Sequence, residues 1–238
     1  MMIVTDPSRY KEKEDLYIQV RDTEGRIVSD ELLLTLPDVP ENNSYNTEWK
    51  MRANSFSRFR AYLEKRYNSR SLNILDIGCG NGWMSYNLAK GGHTLAGVDL
   101  NMAELQQAER VFSMGNNLKW FYADVMKDDI PGGPFDIILF SASCQYFSNI
   151  KDLTGRTEKL LTPNGEIHLL DSVFYKRSQI YEAKARSMDY YSRLGFPLMA
   201  QYYFHHTTDD LKSCGYKKLY PGPLSYKKPL QWWVWRKN

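Results

Sequence analysis

The chain has 238 residues, 25 % charged and 42 % hydrophobic, and its 31 basic against 28 acidic side chains leave a formal net charge of +3. This is a globular composition, long enough for one α/β domain with additions and for a core of useful size. No apolar run approaches the ~18 to 20 residues of a membrane span, so no membrane span is expected. The start lacks a hydrophobic secretory segment, and the three scattered cysteines form no CxxC pair, so the expectation is a cytoplasmic chain with reduced thiols and no metal site.

Residues 1–45 carry no pattern that assigns a structure and are read as an N-terminal extension; residues 46–238 are read as the domain proper. From Trp49 the positions Trp49, Ala53, Phe56, Phe59, Leu63 and Tyr67 recur at three- and four-residue steps behind Thr47 as N-cap, which predicts an amphipathic helix. Strand-like runs follow at 73–77, 94–98, 118–122, 135–140 and 166–170, separated by helix-like stretches at 83–90, 102–112 and 149–161. Strand alternating with helix predicts a parallel sheet covered on both faces. Beyond Asp171 come a charged helical stretch at 177–194, a short helix at 207–214 that Gly215 ends, and strand-like runs at 216–220 and 231–236. The last two read as an antiparallel pair joined by a long loop with Pro221, Pro223 and Pro229. The fold class is thus α/β, a Rossmann-like doubly wound seven-stranded sheet, mostly parallel with an antiparallel last strand.

The strongest chemical signal is Ile74-Leu-Asp-Ile-Gly-Cys-Gly-Asn-Gly82, a buried strand running into glycines at 78, 80 and 82, where the backbone can approach a ligand. Neither register fits the dinucleotide GxGxxG, and no Gly-Lys-Ser/Thr marks a phosphate loop. Asp99 ends the second strand 19 residues after Gly80, near the ~20-residue offset at which an acid meets a ribose. Asp124 ends the third. Strand C-terminal ends are where ligands bind in open α/β sheets.

Asp76 followed by Gly78, Gly80 and Gly82 resembles the first motif of class I S-adenosylmethionine-dependent methyltransferases. The resemblance covers residues 72–171, including Phe135-Asp-Ile-Ile-Leu-Phe-Ser141 and the Pro163-Asn-Gly165 turn. It is similar to a small-molecule, type 11-like group and to an uncharacterised bacterial subgroup. It implies S-adenosylmethionine as cofactor and S-adenosylhomocysteine as product. The ligand's ammonium would meet Asp76, its ribose hydroxyls Asp99, and its adenine amino group Asp124. Leu100, Val125, Ser141 and Cys79, a small residue in the tight loop, complete the implied cofactor set.

The residues after Ser141, Ala-Ser-Cys-Gln-Tyr-Phe, lack the Asn/Asp-Pro-Pro-aromatic stretch of nucleobase amino methylation and the Pro-Cys of cytosine-C5 enzymes. They also lack the paired glutamates of arginine methylation and the carboxylates of metal-dependent enzymes. The expected acceptor is therefore O, N or C of a small molecule, lipid or sugar. Candidate bases are His205 or His206, which point to opposite faces if extended, and Tyr146 and Asp171 by strand-end position. The aromatic stretch 172–206 is read as a substrate lid. After Asp210 there is no acid, while seven lysines and arginines interleave with Tyr and Trp, which keeps an RNA acceptor as the alternative. A non-catalytic S-adenosylmethionine-binding protein is the third reading.

Overall fold

The computed structural model describes residues 1–113, 115–221 and 230–237. The prolines at 223 and 229 therefore lie outside the described residues. In chain order the strands are β1 (Met2–Ile3), β2 (Asn73–Ile77), β3 (Thr94–Asp99), β4 (Leu118–Tyr122), β5 (Phe135–Ser141), β6 (Leu161–Ser172), β7 (Lys217–Tyr220) and β8 (Gln231–Arg236). The α-helices are α1 (Lys11–Thr23), α2 (Asp30–Thr35), α3 (Asn46–Tyr67), α4 (Trp83–Lys90), α5 (Met102–Val111), α6 (Ile150–Thr157), α7 (Ile180–Arg193) and α8 (Thr208–Ser213).

The described strands form one sheet in the order β1-β4-β3-β2-β5-β6-β8-β7. β2 to β6 run parallel, and β8 is antiparallel to both β6 and β7. The sheet has eight strands where seven are expected: two N-terminal residues add β1 parallel to β4 at the edge. A two-residue strand has no periodicity to read, so the sequence could not announce it.

β2 is central, and its residues from Ile74 to Ile77 are buried, as a parallel strand covered on both faces requires. Apolar clusters fill both sides of the sheet. One gathers Phe56, Phe59 and Leu63 of α3 with Ile74, Leu88 and Leu105; the other gathers Leu75, Val98, Phe121, Phe140 and Trp233. α3 starts at Asn46 behind Tyr45, which makes no side-chain cap, so Thr47 lies inside the helix rather than capping it. α3 ends where Asn68 takes φ +51°, the left-handed cap conformation.

The Pro163-Asn-Gly165 turn sits within β6 as an irregularity: pairing to β5 jumps from Phe135–Leu161 to Ile137–Glu166, and Asn164 adopts φ +64°. The extension is part of the packed structure. α2 packs on α5, Gln107 donates to Val28 O and Asp30, and α1 brings Val20 against Tyr191 and Met199. Residues of α1 and of 191–199 thus meet over the C-terminal edge of the sheet, where β2 has β3 on one side and β5 on the other. This is the topological switch point at which open α/β sheets bind ligands.

Candidate functional site

A cavity of about 1120 Å3 opens at that edge, above the ~300–1,000 Å3 typical of a pocket for one small ligand. Its floor holds Asp76, Gly78, Cys79, Gly80, Asp99, Leu100, Asp124, Val125 and Ser141. The expected cofactor set is therefore gathered on one surface, apart from Gly82. That glycine is absent from the lining. With φ +75° it leads into α4, and an added Cβ would stand 2.2 Å from Trp120 Cη2, so packing against Trp120 requires a glycine there. Gly78, at φ +70°, would put a Cβ 2.4 Å from Ser143 Cβ.

The floor acids differ in their bonding. Asp76 is 1 % exposed, and its Oδ2 accepts from Ser85 Oγ at 2.6 Å. Its Oδ1 is buried with no partner among the described residues. Burial, opposed by the Ser85 bond and helped by Asp99, pushes its carboxyl up to about 7. A buried carboxylate oxygen left unpaired carries a desolvation cost that a cationic donor removes. Asp99 Oδ2 accepts from Gly80 N at 2.7 Å, which ties the glycine loop to β3; burial raises this carboxyl too. Asp124 accepts from Tyr10 Oη at 2.7 Å and Met126 N at 3.0 Å. Lys127 Nζ stands 3.0 Å from its Oδ2. Burial raises the Asp124 carboxyl, and the Tyr10 and Lys127 contacts carry the balance below the ordinary value.

The cover comes from regions far apart in sequence. α1 contributes Lys13, Tyr17 and Arg21, and α7 with the turn at Pro197–Tyr202 contributes Tyr191, Met199 and Tyr202. Lys13 is half-buried; burial lowers its ammonium while Asp99 and Asp124 hold it up. Glu104 of α5 joins the floor, pushed up to about 7 by burial and by Asp99. Sequence reasoning missed Lys13, Tyr17, Arg21 and Glu104. The i, i+4, i+8 spacing of the first three was a legible signal of one helical face, although nothing marked that face as a lining.

The base candidates separate. Tyr146 lines the cavity, whereas His205, His206 and Asp171 do not. His205 Nε2 pairs with Ser187 Oγ at 2.9 Å, and its ring lies 5.2 Å from Tyr203, so it stands behind lining residues. His206 is 7 % exposed. Burial lowers both imidazoles, keeping them neutral. Asp171 is buried at φ +55°; burial raises its carboxyl, with Ser55, Arg52 and Arg58 opposing. Cys79 and Cys144 are pushed up by burial, so neither is an activated thiol.

Among the described residues, two of the C-terminal cations face inward. Arg236 Nε donates to buried Glu166 at 2.7 Å, and Lys237 Nζ donates to Glu158 O and Leu161 O at 3.1 Å. Lys227 and Lys228 lie outside the described residues. Among those residues no helix is long and apolar enough to cross a membrane, and no group of three or more His, Cys, Asp or Glu is placed to hold a metal.

A doubly wound sheet with an antiparallel last strand, a glycine loop after its central strand and acids at the next strand ends define the class I methyltransferase fold. Residues 74–165 match the model of the methyltransferase domain family, and the chain carries such a domain. An uncharacterized methyltransferase of Mycobacterium tuberculosis is 27 % identical over 100 residues, 42 % of this chain and 50 % of that protein. A ubiquinone biosynthesis O-methyltransferase of Bartonella tribocorum is 32 % identical over 97 residues, 40 % of this chain and 39 % of that one. The chain thus spans half the length or less of these curated relatives. In fold it is similar to magnesium protoporphyrin IX methyltransferase of Synechocystis with bound SAH, at TM-score 0.61 and 16 % identity, covering 93 % of this chain and 94 % of that one. It is also similar to the plantazolicin methyltransferase in complex with SAH, at TM-score 0.57 and 17 % identity, covering 97 % and 98 %. Coverages of 93 % and 97 % of this chain mean that both fold matches include part of residues 1–45.

Proposed function

We propose that the protein is an S-adenosylmethionine-dependent methyltransferase acting on a small-molecule acceptor. The observation that carries this reading is the unpartnered Oδ1 of Asp76, buried on the cavity floor between the glycine loop and Asp99. That donor set fits the cofactor: a carboxylate for its ammonium, a second for its ribose hydroxyls, a third for its adenine, and no phosphate cradle. The names of the matched relatives support the same reading.

In this reading Asp76 Oδ1 holds the ammonium while Ser85 fixes the other oxygen. Asp99 uses one oxygen on Gly80 N and offers the other to the ribose. Asp124 exchanges the Tyr10 hydroxyl for the adenine amino group. The bound cofactor supplies an electrophilic methyl on a sulfonium. The chain's part is to align an acceptor with it and to exclude water. Tyr146, in the turn that follows β5, is the lining residue we assign to bond the acceptor; burial raises its phenol, so it stays protonated. His205, behind Ser187 and Tyr203, is a positioning residue.

A thermal shift with S-adenosylmethionine, S-adenosylhomocysteine and NAD in parallel tests the reading. Ligand at 100 times its Kd stabilises by about 2.7 kcal/mol. A rise with the first two and none with NAD is expected; a rise with NAD alone, or with none, overturns it.

A further inference from the structure

The cavity exceeds the usual single-ligand volume, and the residues that cover it have their own chemistry. Tyr17 and Tyr146 meet edge to face with ring centroids 5.8 Å apart, Tyr146 meets Tyr203 at 6.0 Å, and Tyr203 meets Tyr191 at 6.2 Å. These four residues all line the cavity and make a connected aromatic wall. Burial raises each of the four phenols, so the wall is neutral and repels no anion.

Arg21 stands at this wall, its guanidinium carbon 5.6 Å from the centre of the Tyr17 ring. Its pairing is poor. Nη1 lies 3.5 Å from Glu24 Oε2, an oxygen that also serves Arg26 Nε at 3.3 Å, while the Glu24 carboxylate also accepts from Tyr190 Oη. Nε is buried with no acceptor among the described residues. Arg26 and Arg52, by contrast, each reach Glu48 at 2.9 Å. A guanidinium offers five donors in a fixed fork, and a buried N–H without an acceptor is costly until one arrives. A planar carboxylate is the partner the fork fits bidentately. Burial lowers Arg21, and Tyr17, Tyr146, Glu104 and Glu24 together outweigh it and raise the guanidinium; the carboxylates of Glu24 and Glu104 disfavour a dianion.

We propose that the part of the cavity formed by Arg21, Tyr17, Tyr146, Tyr191 and Tyr203 is the acceptor pocket, and that it takes a small aromatic molecule whose carboxylate Arg21 holds. The term acceptor rests on the methyltransferase reading; the carboxylate site does not.

The full chain, with S-adenosylhomocysteine present, is titrated with 4-hydroxycinnamate, its amide, phenyl phosphate and cyclohexanecarboxylate. Calorimetry and ligand-observed NMR read the affinities. The aryl carboxylate binds at least tenfold tighter than its amide and more tightly than the other two. Arg21→Met abolishes that margin, leaves the amide unchanged, and leaves S-adenosylhomocysteine affinity within twofold; Arg21→Lys restores part of the margin. Arg21→Gln serves if the methionine variant does not fold. Equal binding of acid and amide, a preference for phenyl phosphate, or a tenfold loss of S-adenosylhomocysteine affinity in Arg21→Met each overturns the proposal. If the wild-type protein ignores S-adenosylhomocysteine yet keeps an Arg21-dependent preference for the acid, the carboxylate site stands and the methyltransferase reading falls.

Discussion

The floor and the cover of the cavity are built on opposite principles. The floor comes from residues 76–143, each acid one strand after the last, its geometry imposed by the short path from a parallel strand to the next helix. The cover comes from α1 and from residues 175–204, brought together by packing of Val20, Tyr191 and Met199. The floor is therefore intolerant of added atoms at Gly78, whereas the cover depends on packing between segments distant in sequence. In the proposed reading, the difference teaches that cofactor chemistry sits in local spacing and acceptor chemistry in tertiary contact.

The largest effect expected falls just behind the floor, where the glycine loop turns into α4. Gly82→Ala sets a Cβ 2.2 Å from the buried Trp120 ring at a left-handed φ, so overpacking and backbone strain together lower stability by about 2–4 kcal/mol. Chemical denaturation measures it; a loss below about 1 kcal/mol would show that Trp120 gives way. Asp99→Ala is expected next, weakening S-adenosylhomocysteine by about 1–3 kcal/mol through loss of a charged acceptor. Unchanged affinity in calorimetry would remove Asp99 from the site.

A smaller effect follows from Asp76, whose carboxyl is raised to about 7 from 3.8. Between those values the native state binds more protons than the unfolded chain, so its contribution to ligand-free stability falls as pH rises through the window. Asp76→Asn flattens that fall. An ammonium ligand favours the ionised form, so S-adenosylhomocysteine affinity rises towards pH 7 and levels above it, by at most about tenfold per unit. Glu104, also raised to about 7, titrates in the same range, and only the part lost in Asp76→Asn belongs to Asp76. A slope unaltered in that variant would contradict the assignment.

The sequence disclosed the parallel sheet, the β8 span residue for residue, and acids that line one cavity, because continuous apolar runs alternating with helical stretches and fixed offsets after glycines are local signals. It did not disclose β1, too short for any period, or the lining face of α1, where Lys13, Tyr17 and Arg21 have no apolar pattern. His205 and His206 drew notice as titratable groups, yet burial and packing place them behind the lining. Gly82 belongs to the motif for a packing reason that only the position of Trp120 reveals.

The most direct test of a cavity made jointly by floor and cover is hydrogen exchange with and without S-adenosylhomocysteine. Amides at 78–82 and 99–101 and amides at 13–24 and 187–203 are expected to slow together when ligand binds. Protection of the floor with the cover unchanged would contradict the joint cavity, and no protection in either would contradict the site itself.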